Sequence, residues 1–153
     1  VLARTNIYGW NSHSNNHSFL EWIFNTLELG DKITIFKDVF YSPISVNHLS
    51  HLLLLCDEKN ITGTYNISGR ERISKLLFAQ WVAEVFGFDS NLVIPISIDD
   101  LNLRAPRPKN LGMDCSKISS KLGINLPELK EDLKTLQVLH SQGYREKIKS
   151  YLC

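Results

Sequence analysis

The stretch Val1-Leu-Ala-Arg-Thr-Asn-Ile-Tyr-Gly9 indicates how the chain folds. Its apolar start predicts a short buried strand over Val1 to Thr5, and the residues that follow have the composition of a turn. Ligands of open parallel sheets collect where strands end, so Thr5 and Asn6 are candidates for hydrogen bonds to a sugar or an amide. By residue type alone, the alternative is stronger: Asn6 satisfies the turn backbone and Tyr8 packs inside.

Strand and helix patterns alternate along the rest of the chain, which predicts an α/β fold with one compact core. In the first helix, the stripe that faces the core is predicted to consist of Phe19, Trp22, Ile23, Thr26 and Leu27. Helices are predicted over residues 18–29, 74–86, 116–122 and 126–139, with a helical tail over 144–153. A further helix is predicted to begin at Ser45 or Asn47 and to end near residue 56. Strands are predicted over 32–36, 63–68 and 93–98, with 111–115 able to pair as a further strand.

The composition excludes several classes of partner. The chain has 17 Lys and Arg against 16 Asp and Glu, so no broad positive field is available to hold a nucleic acid or an anionic membrane. The apolar run Leu52 to Cys56 is far short of the roughly 20 residues that span a bilayer. The three cysteines and five histidines lack the spacing of a metal site, which predicts no bound metal and a reduced, cytoplasmic setting.

Two motifs of nucleotide-dependent reductases are missing from this sequence. A dinucleotide loop needs closely spaced glycines, whereas Gly63 and Gly69 are separated by five residues. No tyrosine has a lysine four residues later, so the pair that transfers protons in short-chain reductases is absent. The chain also opens without an initiator Met and in an apparent strand, so we expect it to begin in the middle of a domain.

The segment Arg104-Ala-Pro-Arg-Pro-Lys-Asn110 contains two prolines that exclude a regular helix. Prolines stiffen an extended loop, and the planar guanidinium of Arg107 suits bidentate capture of a phosphate. A solvated loop whose charges serve solubility is at least as well supported by the residue types alone.

Four segments, taken in order, give the sequence a family resemblance over about residues 1 to 135. It resembles the C-terminal half of the dTDP-4-dehydrorhamnose reductase group within the extended short-chain dehydrogenase/reductase family. The matching segments are Arg4-Thr-Asn-Ile-Tyr-Gly-Trp10, Phe40-Tyr-Ser-Pro-Ile-Ser-Val46, Gly63-Thr-Tyr-Asn-Ile-Ser-Gly69 with Ile73-Ser-Lys-Leu-Leu-Phe78, and Arg107-Pro-Lys-Asn110 with Met113-Asp-Cys-Ser-Lys117.

The resemblance implies that residues 1–153 form a single partial unit, the C-terminal portion of a Rossmann-type reductase with the last sheet strands and a mixed α/β substrate lobe. An upstream half would bind NADP or NAD and carry the catalytic tyrosine and lysine, so this chain alone should be catalytically silent. The resemblance places Thr5 near the nicotinamide, Asn6 near the sugar, and Arg107 on the diphosphate. It also places Ser42 and Pro43 at the border of the substrate pocket, and it implies that Asn110 steadies the segment that carries Arg107.

The implied partner is a nucleotide-linked sugar, and the parent protein is expected to be able to form a homodimer. Reduction of a nucleotide-linked 4-keto sugar, as in dTDP-rhamnose biosynthesis, is the leading function. The turn at Asn6 lacks a tryptophan that rhamnose reductases often have, which leaves an epimerase or dehydratase of the same family open. A non-catalytic regulatory subunit, resembling that of methionine adenosyltransferase, is the alternative from another class. The strand Val1 to Thr5 is further expected to leave an exposed apolar edge that promotes association.

Overall fold

A computed structural model describes residues 1–12 and 17–151 of the chain. Within these residues there are six α-helices and nine short strands. The helices are α1 (Phe19–Glu28), α2 (Val46–Glu58), α3 (Lys75–Phe86), α4 (Ser116–Leu122), α5 (Leu129–Ser141) and α6 (Tyr144–Ser150). The strands are β1 (Leu2–Arg4), β2 (Ile7–Tyr8), β3 (Ile33–Phe36), β4 (Phe40–Tyr41), β5 (Ile44–Ser45), β6 (Thr64–Asn66), β7 (Ile73–Ser74), β8 (Val93–Ile96) and β9 (Asn110–Leu111).

Most of the strand pairs are parallel, as expected when helices cross between strands. β1 pairs with β6, β2 with β5, and β3 with β8, each in parallel. The last small sheet has the order β7-β4-β9, in which β4 is antiparallel to β7 and parallel to β9. The β4–β9 pairing brings the segment that follows Arg107 beside the segment that contains Ser42.

Serine side chains fix where three helices begin. Ser18 accepts from the backbone N–H of Glu21, and the Glu21 carboxylate accepts from the backbone N–H of Ser18, which forms a complete capping box. Ser45 and Ser74 cap α2 and α3 in the same way, each accepting from a backbone N–H three residues later at 3.1 Å. These caps place the start of α2 and α3 next to β5 and β7.

The core has two parts. The larger one lies between α1, α3 and α5 and includes an aromatic group in which Tyr8 and Phe19 both contact Phe78. The smaller one lies between α2, β6 and α4 and contains Ile44 and Cys115. β2 and β5 link the two parts, because Tyr8 packs in the first and Ile44 in the second.

The structure corrects several sequence-based predictions. The first strand is not buried at its start, since Val1 and Leu2 are 52% and 59% exposed, and β1 pairs only with β6 among the described strands. Trp22 is also exposed, although Ile23 and Leu27 of the predicted stripe are buried as expected. The rest of the buried face of α1 is formed by Leu20, Glu21 and Phe24. The last long helix begins at residue 129 rather than 126, and the pairing predicted over 111–115 is limited to β9. Residues 13–16 of the predicted polar loop and 152–153 of the predicted tail lie outside the described residues.

Candidate functional site

Three of the predicted site residues form hydrogen bonds with the segment that follows Arg107. Asn6 Nδ2 donates to the carbonyl of Leu111 at 2.9 Å, and Ser42 Oγ accepts from the backbone N–H of Met113 at 3.3 Å. The side chain of Asn110 accepts from the N–H of Gly112 at 3.1 Å. Asn6 and Ser42 therefore hold residues 111–113 against the neighbouring strands, whereas the Asn110 bond shapes the segment from within.

Pro43 and Thr5 differ from these three in their surroundings. Pro43 is buried, and its carbonyl lies so close to Gly69 that a Cβ on residue 69 would come within 2.1 Å of it. Gly69 is needed there because the two backbones are in contact. Thr5 Oγ1 is buried and has no hydrogen-bond partner among the described residues, so Thr5 is the one predicted site residue that has a buried polar atom without a partner.

Arg107 lies on the Arg107 loop, which we define as residues 101–108, and borders a cavity of about 440 Å³. This Arg107 cavity has a mainly apolar lining with two cationic side chains at its wall. Its volume falls within the range of small-molecule sites, which runs from about 300 to 1,000 Å³. The lining residues are Phe36, Val39, Lys75, Ile98, Leu103, Arg107, Pro108 and Leu111.

Lys75 is the second cation of the cavity, and sequence reasoning did not select it as a site residue. It is the first residue of α3, where a positive charge faces the positive end of the helix dipole. Burial, and then the neighbouring Arg107 guanidinium, lower the pKa of Lys75. Neither Lys75 nor Arg107 forms an ion pair with a carboxylate of the described residues. The cavity thus has positive charge that no acidic side chain balances.

A second polar cluster, the Asp132 cluster, consists of Tyr8, Ser45, His48 and Asp132. The carboxylate of Asp132, only 3% exposed, accepts from the Tyr8 hydroxyl at 2.8 Å and from the backbone N–H and hydroxyl of Ser45 at 3.0 and 2.8 Å. His48 Nδ1 lies 2.5 Å from the same carboxylate. Burial and the adjacent Asp132 raise the pKa of Tyr8 well above its ordinary value. The cluster joins β2, α2 and α5, and nothing in the local sequence around Asp132 predicts it.

Another cavity, of about 300 Å³, lies between Gly69 and α4, but the charged groups around it already have partners. Arg70 pairs with Glu128 at 3.0 Å, and the Asp114 carboxylate accepts from the backbone N–H of Ser116 at 2.9 Å. The Cys115 thiol lies 3.0 Å from the Ser68 hydroxyl. The Arg107 cavity is therefore the better candidate site, because neither of its two cations has a carboxylate partner among the described residues.

Two further properties bear on the kind of site. Among residues 1–12 and 17–151, no group of three His, Cys, Asp or Glu side chains is arranged to hold a metal ion. None of the helices in the described part of the chain is long and apolar enough to cross a membrane.

Parallel strand pairs with crossing helices, together with a cavity that presents unpaired cations, define an α/β lobe suited to an anionic ligand. The model of one protein family, described as the RmlD substrate binding domain, matches residues 2–140. The chain belongs to this family.

Two curated relatives and one solved structure illustrate the similarity. The chain is 25% identical over 142 residues to the probable low-salt glycan biosynthesis reductase Agl14 of Haloferax volcanii, covering 92% of this chain and 47% of that protein. It is 39% identical over 67 residues to methionine adenosyltransferase 2 subunit beta of Rattus norvegicus, covering 44% of this chain and 20% of that one. The dTDP-4-dehydrorhamnose reductase of Bacillus anthracis, solved in complex with NADP, superposes with a TM-score of 0.78 at 22% identity, over 89% of this chain and 47% of that one.

These comparisons confirm the predicted family resemblance and the predicted α/β fold class. The chain spans just under half the length of the Haloferax and Bacillus reductases that it matches. Reductase activity, substrate and cofactor are properties of those longer proteins.

Proposed function

We propose that the chain is the substrate-binding part of an NAD(P)-dependent reductase that acts on a nucleotide-linked 4-keto sugar. Residues 1–153 would be a partial unit of that enzyme, with the cofactor-binding half on an upstream segment. The observation that carries the proposal is the Arg107 cavity, in which two cations without acidic partners face a mainly apolar lining.

A nucleoside diphosphate matches this cavity in charge and in polarity. The guanidinium of Arg107 can hold two oxygens of one phosphate, and Lys75 can contribute a point charge to the same diphosphate. Phe36, Ile98 and Leu103 offer apolar surface to a base or a sugar ring. Binding would also relieve the repulsion between the two cations, which favours the loaded state.

The nicotinamide cofactor would supply the hydride, and this chain provides little of its binding site. The sequence has no glycine-rich loop, so the residues present do not fit the pyrophosphate of a dinucleotide. Thr5 Oγ1, buried without a partner, is the group that we assign to the nicotinamide side of the pocket. What the chain's own residues do is orient the substrate, with Arg107 and Lys75 at one end.

The parent protein is proposed to work in the cytoplasm. Cys56 and Cys115 are both buried free thiols, which fits a reducing compartment. The ligand would be a small nucleotide-linked sugar rather than a nucleic acid, because the formal net charge of the chain is only +1.

Titration calorimetry of the chain with dTDP and with UDP tests the proposal. We expect weak binding that decreases with added salt and that Arg107→Ala weakens by at least about tenfold, because a hydrogen bond to a charged group contributes about 1.5–3 kcal/mol. Arg104→Ala is the matched control, since Arg104 lies on the same loop but does not line the cavity. Absence of binding by a folded sample, or equal loss in the control, would count against a diphosphate grip at Arg107.

A regulatory role is the second candidate function. It is favoured by the 39% identity over 67 residues to methionine adenosyltransferase 2 subunit beta, a higher identity over a shorter stretch than the reductase match. The upstream sequence discriminates between the two functions: a glycine-rich loop with a Tyr-x-x-x-Lys pair supports the reductase, and the loss of both supports the regulator.

A further inference from the structure

The carboxylate of Asp38 lies at the turn between β3 and β4 and binds the start of the segment that carries Arg107. Its Oδ1 accepts from the backbone N–H of Ile98 at 2.9 Å, and its Oδ2 accepts from the Ser97 hydroxyl at 2.7 Å. These two residues begin the short 3-10 helix Ile98–Asp100, from which the Arg107 loop starts. Asp38 therefore fixes the entry to the loop.

The same carboxylate also holds the exit from the loop. Lys109 Nζ lies 3.1 Å from Asp38 Oδ2 and also bonds to Asp99. The carbonyl of Lys109 accepts from the backbone N–H of Phe40 at 2.7 Å, two residues after Asp38. One side chain thus binds both ends of the loop, with Lys109 as its intermediary at the far end.

Between these two ends the loop has almost no other support. Residues 104–108 are exposed and form no hydrogen bond or ion pair with the described residues. Prolines 106 and 108 restrict the backbone locally, but they do not fix where the loop lies relative to the cavity. Closing a loop of this length costs conformational entropy, which contacts at the two ends must offset.

We infer that Asp38 is a positioning residue that closes the Arg107 loop and thereby holds Arg107 at the wall of the cavity. Asp38 does not line the cavity and acts through Lys109 and the 3-10 helix. The inference rests on the proposed function for the identity of the ligand, but closure of the loop can be measured without any ligand.

Trypsin cleavage between Arg104 and Ala105 reports how firmly the loop is closed. Because cleavage of a folded protein follows the population of the open form, Asp38→Ala should speed cleavage at this bond by about tenfold and Lys109→Met by less. Asp31→Ala and Lys134→Met are the matched controls, since both residues are exposed and remote from the loop in sequence. Thermal unfolding of each variant shows that the global fold is retained.

The affinity for a nucleotide then shows whether closure of the loop positions Arg107 for binding. NMR titration with dTDP should give about tenfold weaker binding for Asp38→Ala, but little further change when the same substitution is made in the Arg107→Ala background. An equal loss in both backgrounds would mean that Asp38 does not act through Arg107 and would overturn the inference.

The two measurements separate the inference from the proposed function. Unchanged cleavage in Asp38→Ala overturns the inference whatever the nucleotide affinities are. If the wild-type chain binds neither dTDP nor UDP, the proposed function loses its main support, and the cleavage rates alone decide whether Asp38 closes the loop.

Discussion

The Asp132 cluster and the Arg107 cavity contain opposite arrangements of charge. In the cluster, one buried carboxylate receives hydrogen bonds from Tyr8 and Ser45 and lies against His48. In the cavity, Lys75 and Arg107 share one wall, and neither has a carboxylate partner. The first region is satisfied within the chain itself, whereas the second has two cations without a carboxylate partner among the described residues.

This difference suggests separate roles for the two regions: the Asp132 cluster would stabilise the fold, and the Arg107 cavity would bind a ligand. A buried polar network that is fully paired rigidifies the elements that it joins, and Asp132 joins α5 to β2 and α2. Unpaired like charges at a cavity wall work against folding and persist where a ligand balances them. Substitutions in the two regions should therefore have effects of different kinds.

The largest effect is expected from Asp132→Ala. Removing the carboxylate leaves the Tyr8 hydroxyl and both Ser45 donors buried without an acceptor, which should lower the free energy of unfolding by about 3 kcal/mol. Urea unfolding followed by circular dichroism measures this loss. The neighbouring Glu131→Ala is the control, because its ion pair with Lys134 is exposed and should contribute no more than about 0.5 kcal/mol. Equal losses in the two variants would show that the Asp132 cluster does not stabilise the fold.

Lys75→Met should have an intermediate effect, and on binding rather than on stability. The substitution removes a half-buried cation that has no carboxylate partner, so the free energy of unfolding should stay within about 0.5 kcal/mol or rise. The affinity for dTDP should fall by about tenfold, because one charged contact to the diphosphate is lost. Calorimetry and urea unfolding of the same preparation check both parts. A stability loss that matches the affinity loss would remove the contrast between the two regions.

The smallest effect concerns pH and Asp38. Hydrogen bonds from the Ile98 N–H and the Ser97 hydroxyl, followed by Lys109, hold the pKa of Asp38 well below its ordinary value. A carboxyl whose pKa is lower in the folded state contributes stability above its unfolded pKa of about 3.9, and that contribution is lost as the pH falls below it. Asp38→Asn should thus lose less stability than the wild type between pH 7 and pH 3 in urea unfolding. Asp31→Asn, at an exposed position, serves as the control, and identical pH profiles for wild type and Asp38→Asn would contradict the prediction.

The sequence predicted best the features that depend on neighbours along the chain. Ser18 and Ser74 begin helices where expected, because a cap is a contact between residues three apart. The sequence was a poorer guide to which side chains are buried. Trp22 was expected on the apolar stripe of α1, yet it is exposed. The packing of α3 and α5 against α1 favours the face that contains Leu20 and Phe24. Periodicity gives the direction of a stripe only to within about one residue.

The residues of the candidate site also differ in whether the local sequence could predict them. The proline-flanked Arg107 could be chosen from local sequence because prolines and a planar guanidinium are themselves local signals. Lys75, 32 positions earlier in the chain, could not, since only tertiary packing brings it to the wall that Arg107 borders. Asn6, Ser42 and Asn110 were predicted as residues of the substrate site. In the structure, the side chains of Asn6 and Ser42 bond to the backbone of Leu111 and Met113, and Asn110 bonds within its own segment.

By itself, the sequence determined the fold class, the starts of α1 and α3, the family resemblance and the presence of a stiff arginine-bearing loop, because all of these are set by short-range patterns. The tertiary structure alone decided which polar groups meet. It placed Asp132 within reach of residues more than 80 positions earlier, and it placed one carboxylate, Asp38, between the two ends of the loop that carries Arg107. Hydrogen bonds and charges act over a few ångströms, so their partners depend on how the elements pack rather than on their order along the chain.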